Sequence, residues 1–246
     1  MCLIVFAWQV VPGAPLIAAA NRDEFYDRPA AAACNWPENP KIFGGRDLQG
    51  GGSWMGITQE GPQGARFAAL TNIRGPQERR TDAPSRGALV ADYLAGDMSA
   101  QDYIRKIAAG SEAYNGFNLV LGDREKLFWY SNRGGDDERN GKELAPGIYG
   151  ISNSLLDEPW PKVVRTKAQF ASLLCQGAPE DAFFEMLADT TRAPDLRLPD
   201  TGIALDLERV LSAVCIETTG YGTRTSTVVK LFNDAPAELH ERVLQA

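Results

Sequence analysis

Residues 2–8 read CLIVFAW, Pro12-Gly13 follows, residues 15–20 read PLIAAA, and the chain then turns abruptly polar at Asn21-Arg22-Asp23-Glu24. Two short apolar runs, the first β-branched and aromatic, joined across a Pro-Gly turn, predict a buried β-hairpin. Outward from it, residues 29–52 are rich in Ala, Pro and Gly and read mostly as loop. Ser53 to Thr58 and Arg66 to Thr71 read as strands separated by Gly61-Pro62. Ser85 and Ser99 are placed to N-cap two helices that end near Gly96 and Gly110. Phe117 to Leu121 and Leu127 to Tyr130 are strands joined at Gly122-Asp123, and Ile148 to Ser152 is another. Helices are expected from about Trp160 to Cys175 and from about Pro179 to Asp189. Ala213 to Thr218 and Thr225 to Phe232 predict a late hairpin around Gly220-Tyr221-Gly222, and Ala237 to Leu244 a closing helix. The order lacks regular βαβ alternation, so the reading is α+β with mainly antiparallel strands covered by helices.

The 246 residues and 44% hydrophobic content suit one domain over 1–246 with a substantial core. A net charge of −7 argues against nucleic acid, whose backbone calls for concentrated basic surface. Arg79-Arg80, beside Glu78 and Asp82, is too brief a basic pair to change that and reads as a solvated loop. Cys2, Cys34, Cys175 and Cys215 form no metal-like spacing and are too sparse for a disulfide scaffold, so reduced thiols are expected. No apolar run approaches the roughly 20 residues of a bilayer span. Leu3 to Ala7 is too short for a signal-peptide core, and a soluble cytoplasmic protein is expected. Gly44-Gly45 and Gly50-Gly51-Gly52 lack a nucleotide-binding pattern and read as flexible loop near a pocket. Asp136-Asp137-Glu138 lacks calcium-loop spacing, and Trp160 and Phe170 read as core.

Cys2 is the candidate nucleophile. A small residue after Met1 permits removal of the methionine, which leaves a thiol and an α-amine on one residue. The amine titrates near pH 8 and can relay the thiol proton. This design needs no histidine, and the only one here is His240, in the expected polar C-terminal helix. Against it stands the plain reading of cysteine as a small hydrophobe in a buried strand.

Around the hairpin lie Met1-Cys2-Leu3-Ile4, NRDEFYDRP from Asn21, Gly52-Ser53-Trp54-Met55-Gly56 and Ala69-Leu70-Thr71-Asn72. Tyr114-Asn115-Gly116-Phe117-Asn118-Leu119, Gly150-Ile151-Ser152-Asn153 and Gly222-Thr223-Arg224-Thr225-Ser226-Thr227 follow. In this order, across nearly the whole chain, the motifs resemble the NRDE (transport and Golgi organisation 2) family. That family resembles N-terminal-nucleophile (Ntn) hydrolases of the choloylglycine hydrolase and acid ceramidase type, which implies a four-layer α-β-β-α sandwich of two antiparallel sheets. The resemblance implies a site of Cys2 as nucleophile, Arg22 and Asp23 after the first hairpin, Asn72 and Asn153 at the oxyanion, and a late Arg224. Taken singly, these residues have plainer readings: Arg22-Asp23 as an ion pair, the asparagines as turn caps, and Arg224 as a partner of Glu217.

Three functions follow from the resemblance. The first is a cysteine amidohydrolase acting on non-peptide C–N bonds of a small-molecule amide, with no cofactor. The second is a non-catalytic carrier or chaperone of haem, lipid or acyl-CoA, with Arg22 and Arg224 holding carboxylate or phosphate and Cys2 or His240 as guesses for a haem axial ligand. The third, a trafficking adaptor, finds no lipidation motif or basic amphipathic helix in its support.

Overall fold

The computed structural model describes residues 2–59, 64–76 and 80–245. Met1, the Gly61-Pro62 turn, Glu78 and Arg79 therefore lie outside the described residues. The hairpin is β1 (Cys2–Val11) and β2 (Ala14–Phe25), with Gly13 at φ 78° in the turn. The strands β3 (Ala30–Trp36), β4 (Asn39–Asp47), β5 (Met55–Thr58) and β6 (Arg66–Asn72) follow. Helices α1 (Gly87–Ala95) and α2 (Ala100–Ala108) precede β7 (Phe117–Gly122), β8 (Leu127–Ser131), β9 (Lys142–Glu143) and β10 (Gly147–Ile151). Helices α3 (Pro161–Gln176), α4 (Glu180–Leu187) and α5 (Leu205–Leu211) lead to β11 (Tyr221–Leu231) and β12 (Glu238–Val243).

The strands form two antiparallel sheets, one of order β10-β1-β2-β11-β12 and one of order β3-β4-β5-β6-β7-β8-β9. Strand alternation explains how they stack. In β1, Ile4, Phe6 and Trp8 point into a core shared with Ile57, Phe67 and Trp129 of the other sheet. Leu3, Val5 and Ala7 point the opposite way, into a core with Phe170 of α3 and Phe184 of α4. On the far side of the seven-stranded sheet, Leu119 and Leu121 pack against Val90 of α1 and Ile104 of α2. The result is the four-layer α-β-β-α sandwich in which both sheets are covered on both faces. Both strands of the first hairpin are accordingly apolar on both faces rather than alternating.

Four expectations need correction. Residues 29–52 are not mostly loop, because they include β3 and β4. Gly45 is a strand residue at which a Cβ would come 2.1 Å from the Trp54 ring, so it serves close packing rather than flexibility. Ala213 to Thr218 is not a strand beyond a single bridge from Glu217 to Gly222. Its backbone groups go elsewhere: the Val214 carbonyl accepts from Asn21 Nδ2, and Cys215 N–H donates to the Asp189 carbonyl. Residues 237–244 are not a helix but the edge strand β12, where Leu239 is buried and His240 faces outward beside Glu180. Finally, α1 starts at Gly87 with Arg86, not Ser85, at the N-cap, whereas Ser99 caps α2 by accepting from Asp102 N–H.

Candidate functional site

The register of the first hairpin sets Cys2 directly opposite Arg22. Residues opposite one another in an antiparallel pair share a face, so both side chains lie between the sheets, at the end where the apolar filling stops. There they line a cleft of about 470 Å³ whose other walls come from the seven-stranded sheet and the segment before α1. Ser152 Oγ donates to the Cys2 carbonyl (3.1 Å) and ties the start of β1 to the end of β10.

Arg22 is 5% exposed and stacks on the Trp54 ring at 4.3 Å, a contact the Gly52-Ser53-Trp54 motif provides by threading Ser53 Oγ onto the Gly45 carbonyl at 2.8 Å. Glu24 sits 3.9 Å from Arg22 and 3.8 Å from Arg28. Arg22 Nη1 has no hydrogen-bond partner among the described residues. Arg28 closes the rim through Asp47 (2.8 Å), whose other oxygen accepts from the Gly50 N–H at 2.9 Å. Those contacts hold the Asp47 carboxyl below its ordinary range, although burial opposes the shift.

Asp23 is the next residue, and strand alternation turns its side chain to the helix face. Its carboxylate accepts from Thr223 Oγ1 at 2.6 Å and is buried, which raises its pKa. Its backbone N–H donates to the Cys2 sulfur. Burial also raises the Cys2 thiol, helped by the Asp23 charge and opposed first by the N-terminal amine and then by Arg22. Burial thus favours the neutral thiol over the thiolate that a nearby cation alone would give.

Asn72 ends β6 and lines the cleft. Its side-chain amide makes no hydrogen bond among the described residues and is free to donate. Asn153 does not line this cleft. It stands behind Asn72, donating from Nδ2 to the Asn72 carbonyl (2.8 Å), and borders a second cleft of about 490 Å³ with Arg74 and Trp160. Arg224 does not line this cleft either. It lies at a bulge between Thr223 and Thr225, and its guanidinium donates to the carbonyls of Phe25, Arg28 and Gln245. That arrangement, and not a Glu217 pair, occupies it. The structure thus gathers Cys2, Arg22, Asp23 and Asn72, with Asn153 and Arg224 supporting the walls.

A family model described as transport and Golgi organisation 2 matches residues 1–246. The chain belongs to that family. It is 40% identical to the Transport and Golgi organization protein 2 homolog of Bos taurus over 98% of this chain and 92% of the relative. It is 36% identical to the Homo sapiens homolog, over the same shares. The Transport and Golgi organization protein 2 of Drosophila melanogaster is 31% identical, over 98% of this chain and 90% of that one. Within this transport and Golgi organisation 2 chain, Asn21 of the NRDE motif has a structural place. Its Nδ2 donates to the Leu187 and Val214 carbonyls, and Oδ1 accepts from Ser226 Oγ. Among the described residues no helix is long and apolar enough to cross a membrane.

Sequence reasoning gave no role to Trp54, Thr223 or Lys162. The first two were visible inside quoted motifs. Lys162 left a fainter signal: with Thr166 and Phe170 it repeats every four residues on the buried face of α3, where a lysine is out of place.

Proposed function

We propose that this protein is an N-terminal-cysteine amidohydrolase acting on non-peptide C–N bonds, with an Ntn-hydrolase-type site. The observation that carries the reading is the placement of Cys2 opposite Arg22 at the mouth of the inter-sheet cleft, with the uncommitted amide of Asn72 on the facing sheet. In the reaction the sulfur attacks the amide carbonyl. A C–S bond forms, charge collects on the oxygen, and Asn72 and the Arg22 Nη1 group stabilise it. Collapse breaks the C–N bond, and the amine leaves with the thiol proton. Water then adds to the thioester and releases the acid and the free thiol. Because burial favours the neutral thiol, proton removal must accompany attack, and the α-amine freed by loss of Met1 supplies the base. No step uses a metal or cofactor. A reducing cytoplasmic setting suits four free cysteines, of which Cys34 and Cys175 are exposed.

A second reading, a non-catalytic carrier, is favoured by one observation: Arg22, Arg28 and Arg86 all line the cleft, and arginine suits carboxylate or phosphate. An anionic lipid or acyl-CoA fits that chemistry. Haem fits it less well: of the two axial-ligand candidates only Cys2 lines the cleft. His240 lies on β12, half exposed and 2.7 Å from Glu180, and the walls are mainly polar and charged, with Trp54 and Leu70 among the few apolar residues, where such a group favours a mostly apolar lining. The test is product release from a panel of N-acyl amides by protein with Cys2 free. The hydrolase reading predicts turnover that Cys2→Ala abolishes; stoichiometric binding of acyl-CoA without turnover would replace it by the carrier reading.

A further inference from the structure

Lys162 is 1% exposed, at the first turn of α3, on the helix side of the five-stranded sheet. Its Nζ has no hydrogen-bond partner among the described residues. A void of about 10 Å³ beside it is bounded by Arg74, Trp160, Glu208 and Ser212. An ammonium in such a place is costly unless nearby negative charge offsets it. Arg74 and Glu208 pair with each other at 2.6 Å and largely cancel. The remaining groups in its field are Asp23 on β2 and Cys2 on β1; Tyr221 of β11 faces the same cluster with its phenol raised by burial.

The placement matters because Asp23 spans the sheet. Its carboxylate is on the Lys162 side, and its N–H is on the Cys2 sulfur. We propose that Lys162 is a positioning residue for the Cys2 centre, whose buried ammonium keeps Asp23 ionised and offsets the negative charge that forms on sulfur as Cys2 attacks. This rests on Cys2 being the nucleophile. Burial pulls the lysine down to about 8, and Asp23 opposes that drop, so the ammonium is present at neutral pH.

The experiment uses the full chain carrying Cys34→Ser and Cys175→Ser, with and without Lys162→Met, and follows Cys2 alkylation by iodoacetamide against pH. Loss of the ammonium moves the alkylation midpoint up by about one pH unit, a roughly tenfold slowing below the midpoint. A folded Lys162→Met chain with an unchanged profile overturns the proposal. A second measurement does not require that variant to fold. In the 13C-lysine-labelled chain, one lysine titrates near pH 8, and Asp23→Asn moves its midpoint down. A midpoint indifferent to Asp23→Asn also overturns it. If Cys2 fails to alkylate at any pH, the nucleophile reading falls, while the lysine titration still decides the coupling to Asp23.

Discussion

Replacing Asn21 by alanine removes three buried hydrogen bonds at once: to the Leu187 carbonyl (2.8 Å), to the Val214 carbonyl (2.9 Å) and from Ser226 Oγ (2.6 Å). The side chain is 1% exposed, so water does not take over these partners. Leu187 closes α4, and its carbonyl is one of the helix-end acceptors left without an intrahelical donor. Each abandoned buried group costs about 1–3 kcal/mol. With partial relaxation around the smaller side chain, the expected loss is about 3–5 kcal/mol, a large share of a typical domain's stability. The assay is urea denaturation followed by intrinsic fluorescence, comparing midpoint and slope. The midpoint falls, the slope holds, and Cys2 alkylation in the still-folded fraction keeps the parent rate because Asn21 faces the helices and not the cleft. A loss under about 1 kcal/mol would refute the claim that Asn21 pins the outer helical layer to the sheet. Unchanged stability with lost Cys2 reactivity would assign it to the site instead.

Other outcomes follow from the same contacts. Gly45→Ala drives a methyl into the Trp54 ring and destabilises by about 1–3 kcal/mol, with Trp54 displaced from Arg22 and a change in tryptophan fluorescence. Glu208→Ala leaves Arg74 buried without its 2.6 Å partner and costs about 3–5 kcal/mol by denaturant titration. Asp47 has a folded pKa below the ordinary aspartate value, so its contribution is fully present above that value and is lost as pH falls through the folded pKa. Asp47→Asn therefore flattens the acid limb of a stability-versus-pH curve. Asn72→Ala slows acylation by an amide about 10²–10³-fold yet leaves iodoacetamide alkylation of Cys2 intact, because only the former builds an oxyanion.

The central hairpin was legible because a strand buried on both faces leaves a continuous apolar run, and Pro12-Gly13 marks its turn. The edges were not. Strand β12 carries Glu238, His240, Glu241 and Arg242 around one buried leucine, the charged dress of an edge strand that the helical period also accommodates. Strands β3 and β4 hide among small residues because their pairing, with close approach at Gly44 and Gly45, needs little side chain. The positions of Cys2, Arg22 and Asp23 along the chain said that they would be near one another. Only the register shows that Arg22 and Asp23 act from opposite faces of one sheet. The hydrogen bonds of Arg224 were hidden for a related reason: a bulge at that residue turns its side chain to backbone carbonyls, and a bulge leaves no mark in the sequence.

The proposed chemistry requires that Cys2 attack a carbonyl. The direct measurement is the intact mass of the purified chain, with Cys34 and Cys175 changed to serine, before and after a thiol-directed acylating probe. A nucleophilic Cys2 predicts loss of one methionine from the mass and a single acyl adduct that disappears in Cys2→Ala. Retained Met1 with no adduct on Cys2 would contradict it and leave the cleft as a binding site for an anionic ligand.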